Sequence, residues 1–315
     1  MWKTILVLAV AIDCCAQAPV ASPPAAAGLV KGVGNFIHDV ADLDQSVHFY
    51  KDVLGMDVPR PAGDWQTSEG VIRMYNAIGG KYRVANAQVP GVAMRIELAE
   101  FQGVDRKPVK RTLGVAGASL LLLTVVDLQP VIDRLAAAKW PLAAKLKEGC
   151  DGKAIAVADP DGFQIVVMQK AQAATAPAGK NFVNLRFGYT VSGDALLNGP
   201  FKALKLDGAP VAHTCRPIEE AILNDSKPTT VKLPDGFEIL LVKGTKNDSA
   251  AIRPQDPGAA VLRLMVNDVD AAVLAMDQSG TKVVSAEGAI QTLTPGTTRA
   301  AILGAPDGLL IQVVK

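Results

Sequence analysis

Residues 35–56, with the sequence NFIHDVADLDQSVHFYKDVLGM, decide the fold. The first part predicts a short strand that leads into a turn at Ala41 and Asp42. An amphipathic helix follows, because Asp42 or Asp44 can accept hydrogen bonds from the free N–H groups of its first turn. Gly55 supplies the left-handed residue with which helices commonly end. The buried face of this helix is predicted to contain Val47, Tyr50, Leu54 and the aliphatic stem of Lys51.

Weaker copies of this strand-and-helix unit recur three times, and each unit ends in a turn followed by an apolar strand. The turn is Pro-Asp-Gly at residues 160–162, 234–236 and 306–308, with a degenerate form at 90–91. Because the four prolines lie 70, 74 and 72 residues apart, the chain contains four similar modules. One module of a strand, a helix and three strands (βαβββ) cannot cover its own sheet, so two modules must pair around a shared concavity. We expect this pairing within each half of the chain.

The sequence divides into a predicted signal peptide and two predicted domains, with a segment rich in alanine and proline before each domain. Residues 1–18 combine a basic start, a short apolar run and an Ala-Gln-Ala cleavage pattern, which together predict a signal peptide. Residues 19–30 form a Pro/Ala linker, and residues 171–180 form a second linker. We therefore expect one two-module domain at residues 31–170 and a more divergent one at 181–315. A lipid anchor on Cys14 or Cys15 is the alternative to simple cleavage of the signal peptide.

The composition is that of a folded globular protein of 315 residues, with 49% hydrophobic and 20% charged residues. The formal net charge is +1, so neither nucleic acid nor an acidic membrane surface is expected as a partner. No membrane association is expected after the signal peptide is cleaved. The mature protein is then exported, to the bacterial periplasm or the extracellular space. In that setting Cys150 and Cys215 either pair or remain as two partly buried thiols.

The helix motif at residues 42–56 and the Asp-Pro-Asp-Gly-Phe turn at 159–163 resemble the vicinal oxygen chelate superfamily. That superfamily includes glyoxalase I, bleomycin- and fosfomycin-resistance proteins and extradiol dioxygenases. The resemblance implies an α+β fold in which four βαβββ modules pair into two glyoxalase-like domains with concave mixed sheets. It says much less about the reaction, because different sites occur on one fold.

Metal-using members of this superfamily bind a divalent ion with about four side chains from the first and last strands of paired modules. At the corresponding positions here, Glu97 fits, whereas Asn35 stands where histidine is usual. The remaining positions are Leu120, Val166, Leu185, Leu240, Val261 and Gln312, with the registers of Leu185 and Val261 open. The resemblance thus implies that neither half keeps the usual site, and we expect no cofactor. A divalent metal enters only with an unusual set such as His38, Asp39 and Glu97. Otherwise His38 is a packed residue that strand alternation turns to the opposite face.

Strand alternation also predicts which polar side chains line small-molecule pockets with otherwise apolar walls. Arg95 and Glu97 either bind a ligand or neutralise each other. Arg263 either receives a carboxylate or phosphate, or is solvated or paired with a glutamate. The candidate ligand-binding residues are Asn35, Asp39, Arg95, Glu97 and Gln164 in the first half, and Tyr189, Arg263, Gln312 and Glu238 in the second.

The sequence favours an exported, metal-free protein that binds a small, partly apolar ligand, as the resistance proteins of the superfamily do. One alternative is a metal-dependent lyase, isomerase or dioxygenase with an unusual ligand set. A second is a non-catalytic, partner-binding module whose pockets are filled by side chains. The sequence does not decide whether the protein is an enzyme. A homodimer is compatible with it, since some relatives exchange modules between chains.

Overall fold

The computed structural model describes residues 28–92, 94–172, 179–210, 215–224, 227–245, 252–294 and 297–315. The predicted signal peptide, most of both linkers and His213 lie outside these ranges. Within them, no helix is both long and apolar enough to cross a membrane.

The chain folds into four consecutive modules, each of which begins with a strand that leads into a helix. Module 1 contains β1 (Val30–Asp39), α1 (Leu43–His48), α2 (Glu69–Met74), β2 (Lys81–Gln88) and β3 (Arg95–Gln102). Module 2 contains β4 (Ser119–Val125), α3 (Gln129–Ala137), β5 (Leu142–Gly149), β6 (Gly152–Ala158) and β7 (Gln164–Lys170). Module 3 contains β8 (Phe182–Val191), a π-helical turn (Leu197–Phe201), β9 (Gly208–Pro210), α4 (Ile218–Leu223), β10 (Thr229–Lys232) and β11 (Glu238–Lys243). Module 4 contains β12 (Ala260–Val266), α5 (Val269–Gln278), β13 (Lys282–Val283), β14 (Gln291–Thr294), β15 (Thr298–Gly304) and β16 (Leu310–Val314), with 3-10 turns at Ala286–Gly288 and Pro306–Gly308.

The first helix begins and ends where the sequence predicts. The side chain of Asp42 accepts a hydrogen bond from the Gln45 N–H at 3.0 Å, and Gly55 ends the helix with a left-handed φ of 88°. Between these ends, α1 continues as a π-helical turn over Phe49–Leu54. The buried residues of this segment are Leu43, Ser46, Phe49, Tyr50, Val53 and Leu54. Lys51 is exposed, so its predicted place on the buried face is wrong.

The strands form two mixed sheets of eight strands, which confirms the predicted fold class. Sheet 1 joins modules 1 and 4 in the order β13-β15-β16-β12-β1-β3-β2, with β14 beside β15. Sheet 2 joins modules 2 and 3 in the order β5-β6-β7-β4-β8-β11-β10-β9. The expected pairing within each half of the chain is therefore wrong, because β1 pairs with β12 and β4 pairs with β8. Residues 31–170 and 181–315 each contribute one module to each sheet.

A single large core joins the back faces of both sheets to helices α1, α3 and α5. The ring of Phe36, on β1, lies 5.5 Å from the ring of Phe163 and 4.8 Å from that of Phe187, both in sheet 2. The opposite, concave faces carry two smaller apolar clusters of their own. The two concave faces are therefore separate surfaces that share one closely packed core.

The repeated Pro-Asp-Gly turns fasten the two sheets together. The aspartate of each turn accepts a hydrogen bond from the backbone of a module that belongs to the other sheet. These pairs are Asp161 with the N–H of Ala41 at 3.2 Å, Asp235 with that of Val33 at 2.8 Å, and Asp307 with that of Ser192 at 2.9 Å. The motif that marks the repeat in the sequence thus also holds the modules in place.

Cys150 and Cys215 form a disulfide, with their Cα atoms 6.2 Å apart. Of the two alternatives that the sequence leaves open, the structure has the paired one. The two cysteines lie in different halves of the chain, but modules 2 and 3 share sheet 2, so the bond joins neighbours.

Candidate functional site

The concave face of sheet 1 gathers four of the predicted site residues. Asn35 lies on β1, Glu97 on β3, Arg263 on β12 and Gln312 on β16, so modules 1 and 4 each supply two of them. Arg263 stands beside Gln312 in the strand register, and alternation turns all four side chains to one side of the sheet. We call these four residues the polar network.

Arg263 is the centre of the polar network. Its Nε donates a hydrogen bond to Gln312 Oε1 at 2.6 Å, and its terminal nitrogens lie 3.3 and 3.5 Å from the two carboxylate oxygens of Glu97. Asn35 Nδ2 donates to the same carboxylate at 3.1 Å. Arg263 can cross β1 because residue 34 is glycine: a Cβ there would lie 2.6 Å from Arg263 Cδ. Of the alternatives for Arg263, the structure shows the one in which it pairs with a glutamate.

Asp39 lies on the same face of β1 and is only 1% exposed. Among the described residues, neither of its carboxyl oxygens has a hydrogen-bond partner, and the hydroxyl of Tyr75 has none either. Burial, and then the negative charge of Glu97, raise the pKa of Asp39 well above its ordinary value, although Arg106 opposes the shift. Burial and the nearby Asp39 likewise raise the pKa of Tyr75. Asp39 and Tyr75 therefore favour their neutral forms, which can donate a proton in a hydrogen bond.

A cleft of about 470 Å³ opens beside the polar network, along β2. Exposed Arg60 and Arg95 line it together with Asn86 and Gln88. Asn86 stands opposite Glu97 in the register, and its buried Oδ1 has no hydrogen-bond partner within the described part of the chain. Glu97 is paired with Arg263, so Arg95 faces the cleft and does not serve as the partner of Glu97.

His38 points away from this face, as strand alternation predicts, into the core between the sheets. Its Nε2 lies 2.6 Å from Asp159 Oδ2, and its Nδ1 lies 3.2 Å from the carbonyl oxygen of Ala259. A carbonyl oxygen only accepts, so Nδ1 carries a proton. Tyr50 donates to the same oxygen of Asp159 at 3.2 Å. Burial alone would lower the pKa of His38, but the charge and hydrogen bond of Asp159 raise it above its ordinary value.

His38, Asp159 and Asp161 each offer one donor atom, and these atoms lie within 4.8 Å of one another. This group could hold a metal ion, and it differs from the predicted unusual set. His38 and Asp39 lie on opposite faces of β1, so His38 cannot converge with Asp39 and Glu97. Sequence analysis missed both aspartates as partners of His38. The signal in the sequence is the Asp-Pro-Asp-Gly-Phe motif at residues 159–163, which contains both aspartates but does not by itself connect them with His38.

Three predicted site residues lie on sheet 2, away from the polar network, namely Gln164 on β7, Tyr189 on β8 and Glu238 on β11. Gln164 donates hydrogen bonds to the carbonyl oxygens of Arg111 and Gly162 at 3.1 and 2.8 Å, so it fastens a turn beside β7. Tyr189 is buried in the core on the back of sheet 2, where its hydroxyl donates to the Asp307 carbonyl at 2.8 Å. The placement of Tyr189 in one concavity with Arg263 is wrong, because modules 3 and 4 belong to different sheets.

Residues 38–167 match the sequence model of the Glyoxalase/Bleomycin resistance protein/Dioxygenase superfamily. The fold is similar to that of glyoxalase I from Zea mays, with a TM-score of 0.58, 18% identity, and coverage of 90% of this chain and 92% of that chain. It is also similar to a putative dioxygenase from Bacillus subtilis subsp. subtilis str. 168, with a TM-score of 0.54, 12% identity, and coverage of 91% and 86%. Residues 38–167 belong to the vicinal oxygen chelate superfamily, and the chain has its fold. Among curated proteins, none matches the sequence significantly.

The divalent metal of vicinal oxygen chelate proteins does not fit the concave face of sheet 1. The register places the four superfamily positions at Asn35, Glu97, Val261 and Gln312. Because modules 1 and 4 share this sheet, three of these side chains carry oxygen atoms, which is more than either half was expected to offer. However, the guanidinium of Arg263 already bonds to the oxygens of Glu97 and Gln312. A fixed positive charge at that point repels a divalent cation.

The concave face of sheet 2 lacks the vicinal oxygen chelate ligands for a different reason. The register places its four positions at Leu120, Val166, Arg186 and Leu240. The predicted position Leu185 is wrong by one residue, because alternation turns Leu185 into the central core and Arg186 to the concave side. Three of these four side chains are hydrocarbons, and Arg186 forms an ion pair with Glu219 of α4.

Proposed function

We propose that the chain is an exported protein that binds a small, partly apolar molecule without a metal, in the cleft beside the polar network of sheet 1. The observation that carries this proposal is the position of Arg263. Its guanidinium neutralises Glu97 and bonds to Gln312, whose oxygens a chelated metal would need. The ion pair is largely shielded, since the two side chains are only 20% and 19% exposed. A metal would therefore have to displace a partner that is already held from both sides.

The cleft suits a ligand with an anionic or hydrogen-bonding end and an apolar body. Arg60 and Arg95 supply positive charge, and the unfilled acceptor of Asn86 suits a donor group. Pro59 and Val84 add apolar wall. The volume of about 470 Å³ lies within the range of roughly 300–1,000 Å³ that is typical of small-molecule sites.

Export of the protein is supported by two independent features. The sequence of residues 1–18 has the order of charge, apolar run and small residues that is typical of a signal peptide. The Cys150–Cys215 disulfide fits the same proposal, since such bonds persist mainly in oxidising compartments. Detection of the mature protein in a periplasmic or culture-medium fraction would test it directly.

Purified mature protein tests the binding function. Elemental analysis should find no stoichiometric transition metal, and a broad thermal-shift screen should find a small molecule that raises Tm. Arg95→Ala should then weaken binding of that molecule about tenfold, because a charge-assisted hydrogen bond is lost. Lys147→Ala removes an exposed cation from sheet 2 and serves as the matched control.

A stoichiometric metal bound at the polar network would contradict this proposal. If no molecule raises Tm, a partner-binding role becomes the better account of this fold.

The grouping of His38, Asp159 and Asp161 within 4.8 Å supports a second candidate, a metal-dependent activity at the back of β1. The elemental analysis decides here as well. If His38→Ala loses the bound metal and Asp39→Asn keeps it, the metal is bound at this group, because Asp39 lies on the opposite face of the strand. Metal-free wild-type protein would reject the candidate.

A further inference from the structure

Helix α4 covers the concave face of sheet 2 and closes it. Its side chains Ile218, Ile222 and Leu223 are buried in the same apolar cluster as the strands beneath. The largest strand residues of that cluster are hydrocarbon or thioether, namely Leu120, Leu122, Val166, Met168, Leu240 and Val242. The face under α4 is therefore an apolar concavity that one short helix fills.

The start of α4 is fastened to the β5–β6 hairpin. The disulfide Cys150–Cys215 joins the hairpin to the residues that lead into the helix. The Ile218 N–H donates to Asp151 Oδ1 at 2.7 Å. The two segments touch so closely that a Cβ added at Gly149 would lie 2.3 Å from the backbone nitrogen of Ile218. This contact and the disulfide hold the same end of the helix.

The helix depends on that fastening for its position. It has six residues and no side-chain hydrogen bond at its N-cap, and isolated helices shorter than about 12 residues are marginal in water. Its other end stops at Asn224, with a left-handed φ of 54°. There a cleft of about 380 Å³ borders Ile222 and Leu223. One end of α4 is thus tied down, and the other borders an opening beside the covered face.

The disulfide is open to chemical attack, since both Cys150 and Cys215 are exposed. A thiolate of an external dithiol can attack one sulfur and break the S–S bond, which gives a mixed disulfide and one free cysteine thiolate. The second thiol of the reductant then displaces the other cysteine. The protein gains two electrons and, with two protons, two thiols, and the dithiol is oxidised to its own disulfide.

We propose that α4 is a lid that reduction of Cys150–Cys215 releases, and that the concave face of sheet 2 then binds small apolar molecules. The ion pairs of Glu219 with Lys170 and Arg186 join α4 to the sheet independently of the disulfide, so they can break when the lid opens and form again when it closes. Opening is therefore a reversible displacement of α4, while the sheet beneath stays folded. This site is separate from the cleft of sheet 1, so either proposal can fail without the other.

The test uses full-length mature protein and the uncharged fluorescent probe N-phenyl-1-naphthylamine, which Arg60 and Arg95 do not attract. Reduction with dithiothreitol, or the double substitution Cys150→Ser and Cys215→Ser, should raise the open fraction and tighten the apparent Kd for the probe about tenfold. Amide hydrogen exchange should rise in residues 218–223 and stay unchanged in β4 and β7.

A second variant opens the lid with the disulfide intact. Gly149→Val places a side chain against Ile218, so the oxidised variant should bind the probe as the reduced wild-type protein does. Equal probe binding by oxidised and reduced wild-type protein would overturn the proposal. So would a folded reduced protein that binds no probe, or exchange that rises throughout sheet 2, which would mean unfolding.

Discussion

The concave faces of the two sheets are built on the same plan of strands but carry opposite chemistry. On sheet 1 the superfamily positions are mostly polar, and Arg263 neutralises the one carboxylate among them. On sheet 2 the corresponding positions are mostly hydrocarbon, and a helix lies on top of them. The comparison shows two physical arrangements that leave the superfamily metal positions unavailable to an ion. On one face a side-chain cation already bonds to the oxygen atoms, and on the other apolar packing fills the space.

The largest expected effect comes from truncation of the packed face of sheet 2. Leu122 is 1% exposed and lies under α4, so Leu122→Ala should lower the free energy of unfolding by about 2–5 kcal/mol, through lost burial and the cavity left behind. Urea unfolding of the oxidised protein measures this loss. Leu274, which is 59% exposed on α5, gives the control Leu274→Ala, with an expected change within about 0.5 kcal/mol. Equal effects of the two substitutions would mean that the face of sheet 2 is not packed as described.

The next effect concerns the charged face of sheet 1. Arg263→Ala leaves the Glu97 carboxylate without its cation, and we expect a loss of about 1–3 kcal/mol, below that of a fully buried pair because both side chains keep some exposure. The substitution also frees the oxygens of Gln312 and of Glu97, which lies beside Asn35. Mn²⁺ should therefore raise the Tm of this variant and leave that of the wild-type protein unchanged.

Arg95→Ala is the matched control, since Arg95 is an exposed arginine near the same face. It should change stability by no more than about 0.5 kcal/mol and give no response to Mn²⁺. A wild-type protein that Mn²⁺ stabilises as much as the variant would show that Arg263 does not block the site.

These two faces also show what the sequence could and could not predict. Local signals were sufficient for the modules, because the cap at Asp42, the glycine at 55 and the Pro-Asp-Gly turns each act over a few residues. Partner choice was not local. Strands β1, β4, β8 and β12 are equivalent first strands of their modules, and nothing in a single strand specifies that β1 meets β12.

The candidate site could be predicted within single strands, but not where it depends on which modules share a sheet. Alternation correctly placed Asn35, Asp39 and Glu97 on one face, and it turned His38 to the other. Arg263 and Glu97 are 166 positions apart in the sequence. Their ion pair could be predicted only if modules 1 and 4 were known to share a sheet. The contact between His38 and Asp159 could not be predicted for another reason. The Asp159 carboxylate also accepts a hydrogen bond from the Phe163 N–H at 2.8 Å, and this role in its own turn is sufficient to explain the aspartate in the sequence.

A smaller effect should distinguish the contribution of Asp39 on the sheet 1 face from that of the Arg263–Glu97 ion pair. The pKa of Asp39 is raised well above its ordinary value by burial, so the folded state holds the proton more tightly than the unfolded state. Stability should therefore fall as the pH rises from about 3.8 toward that raised pKa. Asp39→Asn cannot ionise, so its advantage over the wild-type protein should grow across this range and disappear in acid. Urea unfolding across the range measures the difference, and parallel curves for the two proteins would show that Asp39 does not titrate in this way.

The smallest effect tests whether the two faces are coupled through the core. His38 joins the sheets, since it contacts Ala259 beside β12 and Asp159 beside β7. Its pKa is raised in the folded state, so its contribution to stability is full below about pH 6.5 and is lost as the pH rises through the raised pKa. His38→Gln should therefore be destabilised most in mild acid, and the gap to the wild-type protein should narrow at higher pH. His48→Gln, at a histidine whose side chain is 65% exposed, is the control for a surface substitution and should change stability by no more than about 0.5 kcal/mol. If His38→Gln raises amide exchange on only one sheet in acid, the two concave faces are independent, and the histidine serves one of them alone.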